Sequence, residues 1–386
     1  MKEEQANWEF QQIFSDAVKI RTISDVPLGV FLSGGIDSSA VVAFMTRSYS
    51  GKVRTFSVGF ADEIDERPFA RMVAERYNTD HTELYVDQKI EDTVLDVLNY
   101  YDEPFGDSSS IPSYLISKEA RRHVKVILTG DGGDELFAGY DTYVNQKYQL
   151  FDRVSSRLYH EVGKAILKLS GIDIAAWVFP KRSWSYAYAH WHVLRSYYSE
   201  EEIQHLLPVQ GGFIKRFFSE NKWLDVASED ALSMAYSYDL NWYLPDDLLK
   251  KIDMASMFAS LECRAPFLDH RLVEFSLKIP PHMKVKNDIT KYILKQALKE
   301  YLPNEILKRT KTGFGAPIES WMRNQLREVI FDFILPGCKL ESLVPREAIN
   351  EALNRVYSVS RCKDYRTPYK LWLLFVLEVW MRRYSS

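Results

Sequence analysis

Over the first third of the chain, short runs of β-branched and aromatic residues alternate with longer stretches of helical period. Gly29-Val30-Phe31-Leu32 reads as a buried strand that stops at Ser33-Gly34-Gly35, and Ser39 to Met45 continues as a helix apolar enough to face a sheet. Val53 to Phe60 and His81 to Val86 read as further strands, separated by a helix over Arg67 to Tyr77 that Asn78 closes. A helical stretch around Ile90 to Tyr100, a second over Ser113 to Arg122 and a strand over Val124 to Thr129 complete the series. This alternation predicts an α/β fold, a parallel sheet with helices on both faces. From about Asp141 helical periods dominate and strands become hard to find. The expected division is an α/β core over 1–140 and a mainly helical region over 141–386 that packs on the core and completes a cleft. The aromatic segment from Phe179 to Ser199, with His190 and His192, reads as packing rather than as a metal site.

Composition narrows the classes. At 386 residues, 46% hydrophobic and 26% charged, the chain is that of an ordinary globular protein of two or so domains. Forty-nine basic against 53 acidic residues leave a net charge of −4, a poor balance for neutralising the phosphates of a nucleic acid. Cys263, Cys338 and Cys362 are odd in number and far apart, which points away from zinc and from a disulfide framework, toward a reducing cytoplasm. The charged start Met1-Lys2-Glu3-Glu4 does not look like a signal peptide. Leu371 to Leu377 is far short of the ~20 apolar residues of a membrane span and predicts a buried C-terminal helix.

The chemistry concentrates at the ends of two predicted strands, where ligands of open α/β sheets bind. After the first comes Leu32-Ser33-Gly34-Gly35-Ile36-Asp37-Ser38-Ser39. Two glycines allow a tight turn that brings backbone N–H groups close to an anion. The helix that follows adds the positive end of its dipole, and three serines add small donors. Asp37 would repel a phosphate unless a cation lay between them, which points to Mg²⁺. A capped βα turn is the plain alternative. The string is neither a Walker A loop, which needs Gly-Lys-Ser/Thr, nor a Rossmann fingerprint. After the fourth strand comes Thr129-Gly130-Asp131-Gly132-Gly133-Asp134-Glu135, whose three acids could hold a metal and leave one carboxylate for proton transfer. Here the alternative is an Asp/Gly turn capping the next helix.

Val26 to Ser39 resembles the PP-loop of N-type ATP pyrophosphatases, in the form found in the asparagine synthetase family. The resemblance continues through Tyr101-Asp102-Glu103-Pro104-Phe105-Gly106-Asp107-Ser108-Ser109, Thr129 to Glu135, Leu261-Glu262-Cys263-Arg264-Ala265-Pro266-Phe267-Leu268-Asp269 and Lys308-Arg309-Thr310-Lys311-Thr312-Gly313-Phe314. It implies the adenine nucleotide alpha hydrolase-like fold and an ATP-dependent, AMP-forming amide synthetase using Mg²⁺. By the same resemblance Leu32, Ser33, Gly34, Gly35, Asp37, Ser38 and Ser39 bind ATP, with Thr129 and Gly130 at the adenosine and Leu32 and Val58 lining the adenine. Asp37 and Asp134 are the implied metal ligands, Lys311 the lysine on the phosphates, and Glu135 a residue near the amino-acid substrate. Asp131 stands where well-studied members carry Glu, the proposed base, so its shorter carboxylate must come closer or act through water. Ser109 and Ser110, in the Ser-rich stretch from Asp107 to Pro112, are similar to a substrate-side loop, although a polar turn fits as well. Asp253, Glu262 and Arg264 read as an internal ion pair of structural kind.

Glutamine-dependent members begin with a glutaminase domain whose nucleophilic Cys follows the initiator Met. Here residue 2 is Lys and no cysteine precedes Cys263. The expectation is therefore that the chain is the synthetase half alone, that ammonia comes from solution or from a separate glutaminase subunit, or that the substrate's own amine attacks. Aspartate is the expected carboxylate, with another acid or a non-catalytic nucleotide-binding subunit as the competing readings. A homodimer is left open; nucleic acid and membrane are not expected partners.

Overall fold

The computed structural model describes residues 1–60, 65–86, 90–144, 196–207, 231–310, 313, 315–358, 362, 364 and 366–384. Chain contacts divide it into two compact units, the first 1–102, 107–144 and 240–317, the second 103–106, 145–239 and 318–386.

The first unit is built on a five-stranded parallel sheet in the order β3-β2-β1-β4-β5, with β1 Leu28–Phe31, β2 Arg54–Phe60, β3 Asp80–Val86, β4 Val126–Leu128 and β5 Glu262–Arg264. The period-2 alternation decides which side chain serves which face. Leu28 and Val30 of β1, with Val126 and Leu128 of β4, enter one core. There they meet α1 (Glu3–Arg21), α2 (Ile36–Ser48) and α3 (Arg67–Arg76) through Phe10, Phe14, Phe44 and Val73. The out-of-phase residues Phe31, Phe56 and Ile127 face a second core with Ile116, Ala120 and Leu261. Here α5 (Ser110–Ala120) covers the sheet, while α4 (Glu91–Tyr100) lies between β3 and α5 in sequence. Helices on both faces are what the alternation predicted. α2 is buried from Ile36 through Met45, which explains its lack of a polar face.

β5 comes from the part of the chain expected to be helical, and it pairs in parallel with β4 through Val126–Glu262, Ile127–Cys263 and Leu128–Arg264. In the Ser-rich stretch, Asp107 to Ser109 form the turn that leads into α5, and Ser110 to Pro112 are its first residues. Ser113 and Ser117 donate their hydroxyls to the carbonyls of Ser109 and Ser113, at 2.8 and 2.6 Å, and so sit within the helix.

Glu262 and Arg264 do pair, at 2.6 Å, and Arg264 also donates to the carbonyls of Arg21 and Ile23 at 2.9 and 2.8 Å. Nearby, Asp269 caps the helix His270–Lys278 by accepting from the Arg271 N–H at 3.1 Å. The Arg271 guanidinium holds the Asp269 carboxyl well below the usual carboxylate range; burial opposes this, and Arg21 adds to the lowering. A carboxyl depressed in the folded state stabilises the fold fully above the unfolded pKa of about 4, and that stability drains away as pH falls further. Asp269→Asn is therefore expected to cost roughly 2–4 kcal/mol at pH 7. The difference from wild type should shrink below about pH 4, as checked by denaturant titration at the two pH values.

In the second unit the helix Arg366–Tyr384 carries Trp372, whose indole N–H donates to the Gly106 carbonyl at 2.9 Å. Its Glu378 is fully buried, yet satisfied by the Leu340 N–H at 2.7 Å and by Arg382 at 2.8 Å. Ser199 and Glu202 close a capping box at Glu200–Leu206. Among the described residues no helix is long and apolar enough to cross a membrane.

Candidate nucleotide and metal site

In the first unit, β1 connects to β2 on one side and lies against β4 on the other, so the strand order reverses between them. At such a point the loops leaving the two strands separate and open a crevice. The loop after β1 carries Ser33-Gly34-Gly35, and the loop after β4 carries Thr129 to Gly132 before the short helix α6 (Gly133–Phe137). Both glycine-rich motifs thus meet at one sheet edge.

Their glycines are required by how closely the loops approach. A Cβ on Gly130 would stand 2.8 Å from the Ser38 nitrogen and 3.0 Å from Asp37 Cβ, and one on Gly133 would overlap the Asp37 carboxylate. Gly34, at φ +74°, takes a left-handed turn with its Cα against Phe69 and the Ala70 backbone at the start of α3. The serines tie the first loop internally: Ser33 Oγ lies 3.1 Å from Ser38 Oγ, and the Gly35 N–H donates to Ser33 Oγ at 3.3 Å. No side-chain hydrogen bond caps α2, and the first N–H groups of a helix have no intrahelical acceptor.

Asp37 and Asp134 are both buried, and both bond to the same partner, the ammonium of Lys291. The Lys291–Asp134 distance is 2.6 Å. Two carboxylates from separate loops, already sharing one cation, form a donor set that suits Mg²⁺, which uses one or two protein carboxylates and fills its octahedron with water and phosphate oxygens. Nothing in the local pattern of Thr290-Lys291-Tyr292 announced Lys291; only the fold brings it here.

The other expected residues fall around this centre. Thr129 is buried and its N–H donates to the Arg264 carbonyl at 2.9 Å. The side chain of Leu32 lies in the core at 1% exposure, and Val58 packs on the opposite face beside Phe56 and Ile127. Ser39 is fully buried, with no hydrogen-bond partner for its hydroxyl among the described residues. Glu135 is buried and accepts from the Tyr140 hydroxyl, while the Tyr140 ring meets Tyr243 edge-on at 6.0 Å. Ser109 is engaged by Asp107, its N–H donating at 2.9 Å and its hydroxyl at 2.7 Å; Ser110 is buried in the first turn of α5.

Asp107 in turn pairs with Lys251 at 3.1 Å. Burial alone would push the Lys251 amine down, but the charges of Asp107, Asp247 and Asp131 outweigh it and hold the amine above its ordinary value. Asp131, half-buried, therefore lies within the field of a buried cation.

Lys311, Thr312 and Phe314 lie outside the described residues, as do His190 and His192. The chain just before Lys311 is anchored: the Arg309 guanidinium pairs with Glu66 and stacks 4.4 Å from the centre of the Phe69 ring. Phe69 is the residue that Gly34 packs against, so the segment leading to Lys311 is tied down beside the first loop. Glu66 and Phe69 carried no sequence signal of their own.

An open parallel sheet whose switch point gathers two glycine-rich loops and two buried carboxylates defines an α/β protein of PP-loop type. The sequence profile of the asparagine synthase family matches residues 9–382, and the chain belongs to that family. It is 28% identical to glutamine-hydrolysing asparagine synthetase 1 of Bacillus subtilis over 96% of this chain and 58% of that protein. It is 30% identical to a putative glutamine-hydrolysing asparagine synthetase of Mycobacterium bovis, over 96% of this chain and 57% of that protein. A putative glutamine-hydrolysing asparagine synthetase of Methanocaldococcus jannaschii is 43% identical over 161 residues, 41% of this chain and 31% of that protein. The chain thus spans a little over half the length of the first two relatives.

Proposed function

We propose that the chain carries out AMP-forming, ATP-dependent amide synthesis, making asparagine from aspartate and ammonia through a β-aspartyl-adenylate. The observation that carries this reading is the convergence of Asp37 and Asp134, from two loops of one switch point, on a single buried cation. Mg²⁺ held by these two carboxylates would neutralise the phosphate charge of ATP. The first-turn N–H groups of α2 and the Ser33–Gly35 loop bind phosphate oxygens, and Lys311 stabilises the charge that collects on departing pyrophosphate. A carboxylate oxygen of the substrate attacks the α-phosphorus and pyrophosphate leaves. Ammonia then attacks the activated carbonyl carbon, its proton passes to Asp131, and AMP leaves with the carboxylate oxygen. Glu135, fixed by Tyr140, recognises the substrate amino group, and Ser109 and Ser110 border the acid.

The test is the nucleotide product. Incubation with Mg²⁺-ATP, aspartate and ammonium is expected to yield AMP, pyrophosphate and asparagine in equal amounts, with no asparagine when either aspartate or ammonium is withheld. ADP as the product would exclude adenylation. AMP formed with aspartate omitted and another acid supplied would move the same chemistry to a different carboxylate.

A further inference from the structure

Lys291 is a buried cation from a third element, belonging to neither loop. It precedes the helix Tyr292–Ala297 and is 4% exposed. Its backbone sits at φ +52°, the left-handed region that a residue with a side chain enters only at a cost. Its N–H donates at 3.2 Å to the carbonyl of Ala138, itself at φ +58° where α6 ends. Gly139 closes the slot, because a Cβ there would overlap both the Asp134 carboxylate and the Lys291 side chain. Strained backbone and close packing together hold this ammonium between Asp37 and Asp134.

As they stand, the three groups sum to a charge of −1. Without the ammonium, two carboxylates would face each other in a slot nearly closed to water, an unfavourable placement of like charges. We propose that Lys291 is a built-in placeholder cation: in the nucleotide-free protein it occupies the position between Asp37 and Asp134 that Mg²⁺ takes on arriving with ATP, which makes metal uptake conditional on the nucleotide. The inference rests on the Mg²⁺-ATP reading above. A free Mg²⁺ ion gives up its water reluctantly. It would have to enter beside an ammonium, taking the three groups from −1 to a net charge of +1. A triphosphate arriving with the metal supplies anionic oxygens on which the displaced ammonium can rest, so the two cations stop competing.

The experiment uses Mn²⁺ as an electron-paramagnetic probe of metal binding to the nucleotide-free chain. Wild type is expected to take up Mn²⁺ at least about tenfold more tightly with a non-hydrolysable ATP analogue than without it, a gap of about 1.4 kcal/mol. Lys291→Met should bind Mn²⁺ alone at least about tenfold more tightly than wild type, and Asp37→Asn added to that variant should erase the gain. A folded Lys291→Met chain with unchanged Mn²⁺ affinity overturns the proposal. So does a wild type that binds Mn²⁺ equally well with and without the analogue, a comparison that decides the matter even if the variant does not fold. Neither readout involves turnover. Absence of AMP with every substrate would therefore sink the synthetase reading while leaving this result standing.

Discussion

Asp37→Asn is expected to lower pyrophosphate formation from ATP by about 10³-fold or more, equivalent to about 4 kcal/mol of transition-state stabilisation, while the chain stays folded. The loss follows from removing one of two carboxylates that hold the metal against the phosphates, and raising Mg²⁺ should not restore it. The retained fold follows from the charge balance at the slot. With Asp37 neutral, Lys291 still pairs with Asp134 at 2.6 Å, and the buried group goes from a net −1 to zero. A purely structural ion-pair cluster would behave in the opposite way, since breaking one arm would destabilise the chain by about 3–5 kcal/mol and leave the nucleotide chemistry of the surviving folded fraction intact. Thermal unfolding and single-turnover pyrophosphate release on the same preparation separate the two.

Asp131→Asn is expected to divide the reaction. Exchange of labelled pyrophosphate into ATP with the carboxylate present should stay within about twofold of wild type, because adenylation needs no base at this position. Amide formation from ammonia should fall by about 10²–10⁴-fold, the usual contribution of a positioned proton acceptor. Asp131→Glu should recover most of it. Asp131 lies half-buried in the loop after β4, within reach of the charge of Lys251. Equal losses in both half-reactions would instead assign Asp131 to nucleotide or metal binding.

The sheet was legible where side chains alternate or run apolar. Val30, Phe56 and Ile127 mark strands by composition alone, and their burial on two faces follows from period 2. β5 was not legible, because Glu262-Cys263-Arg264 offers three residues and no apolar run; it becomes a strand by pairing with β4. The Ser-rich stretch suggested a loop because serine favours turns; Asp107 to Ser109 are such a turn, held by the Asp107 carboxylate, and from Ser110 the chain is helical. At the site, both glycine-rich motifs and their acids could be read, since close loop approach demands residues of recognisable type. Lys291 and Glu66 could not. Their partners, Asp37 and Arg309, lie far away in sequence, and a lysine before an amphipathic helix looks like any exposed one.

In the proposed reaction a substrate carboxylate takes the adenylyl group. Aspartate labelled with ¹⁸O in its side-chain carboxylate tests it most directly, with mass analysis of the nucleotide after turnover with Mg²⁺-ATP and ammonium. Attack of that carboxylate on the α-phosphorus, followed by ammonia at the carbonyl carbon, predicts one ¹⁸O in each AMP and one retained in each asparagine. Unlabelled AMP, or label recovered in inorganic phosphate beside ADP, would contradict it.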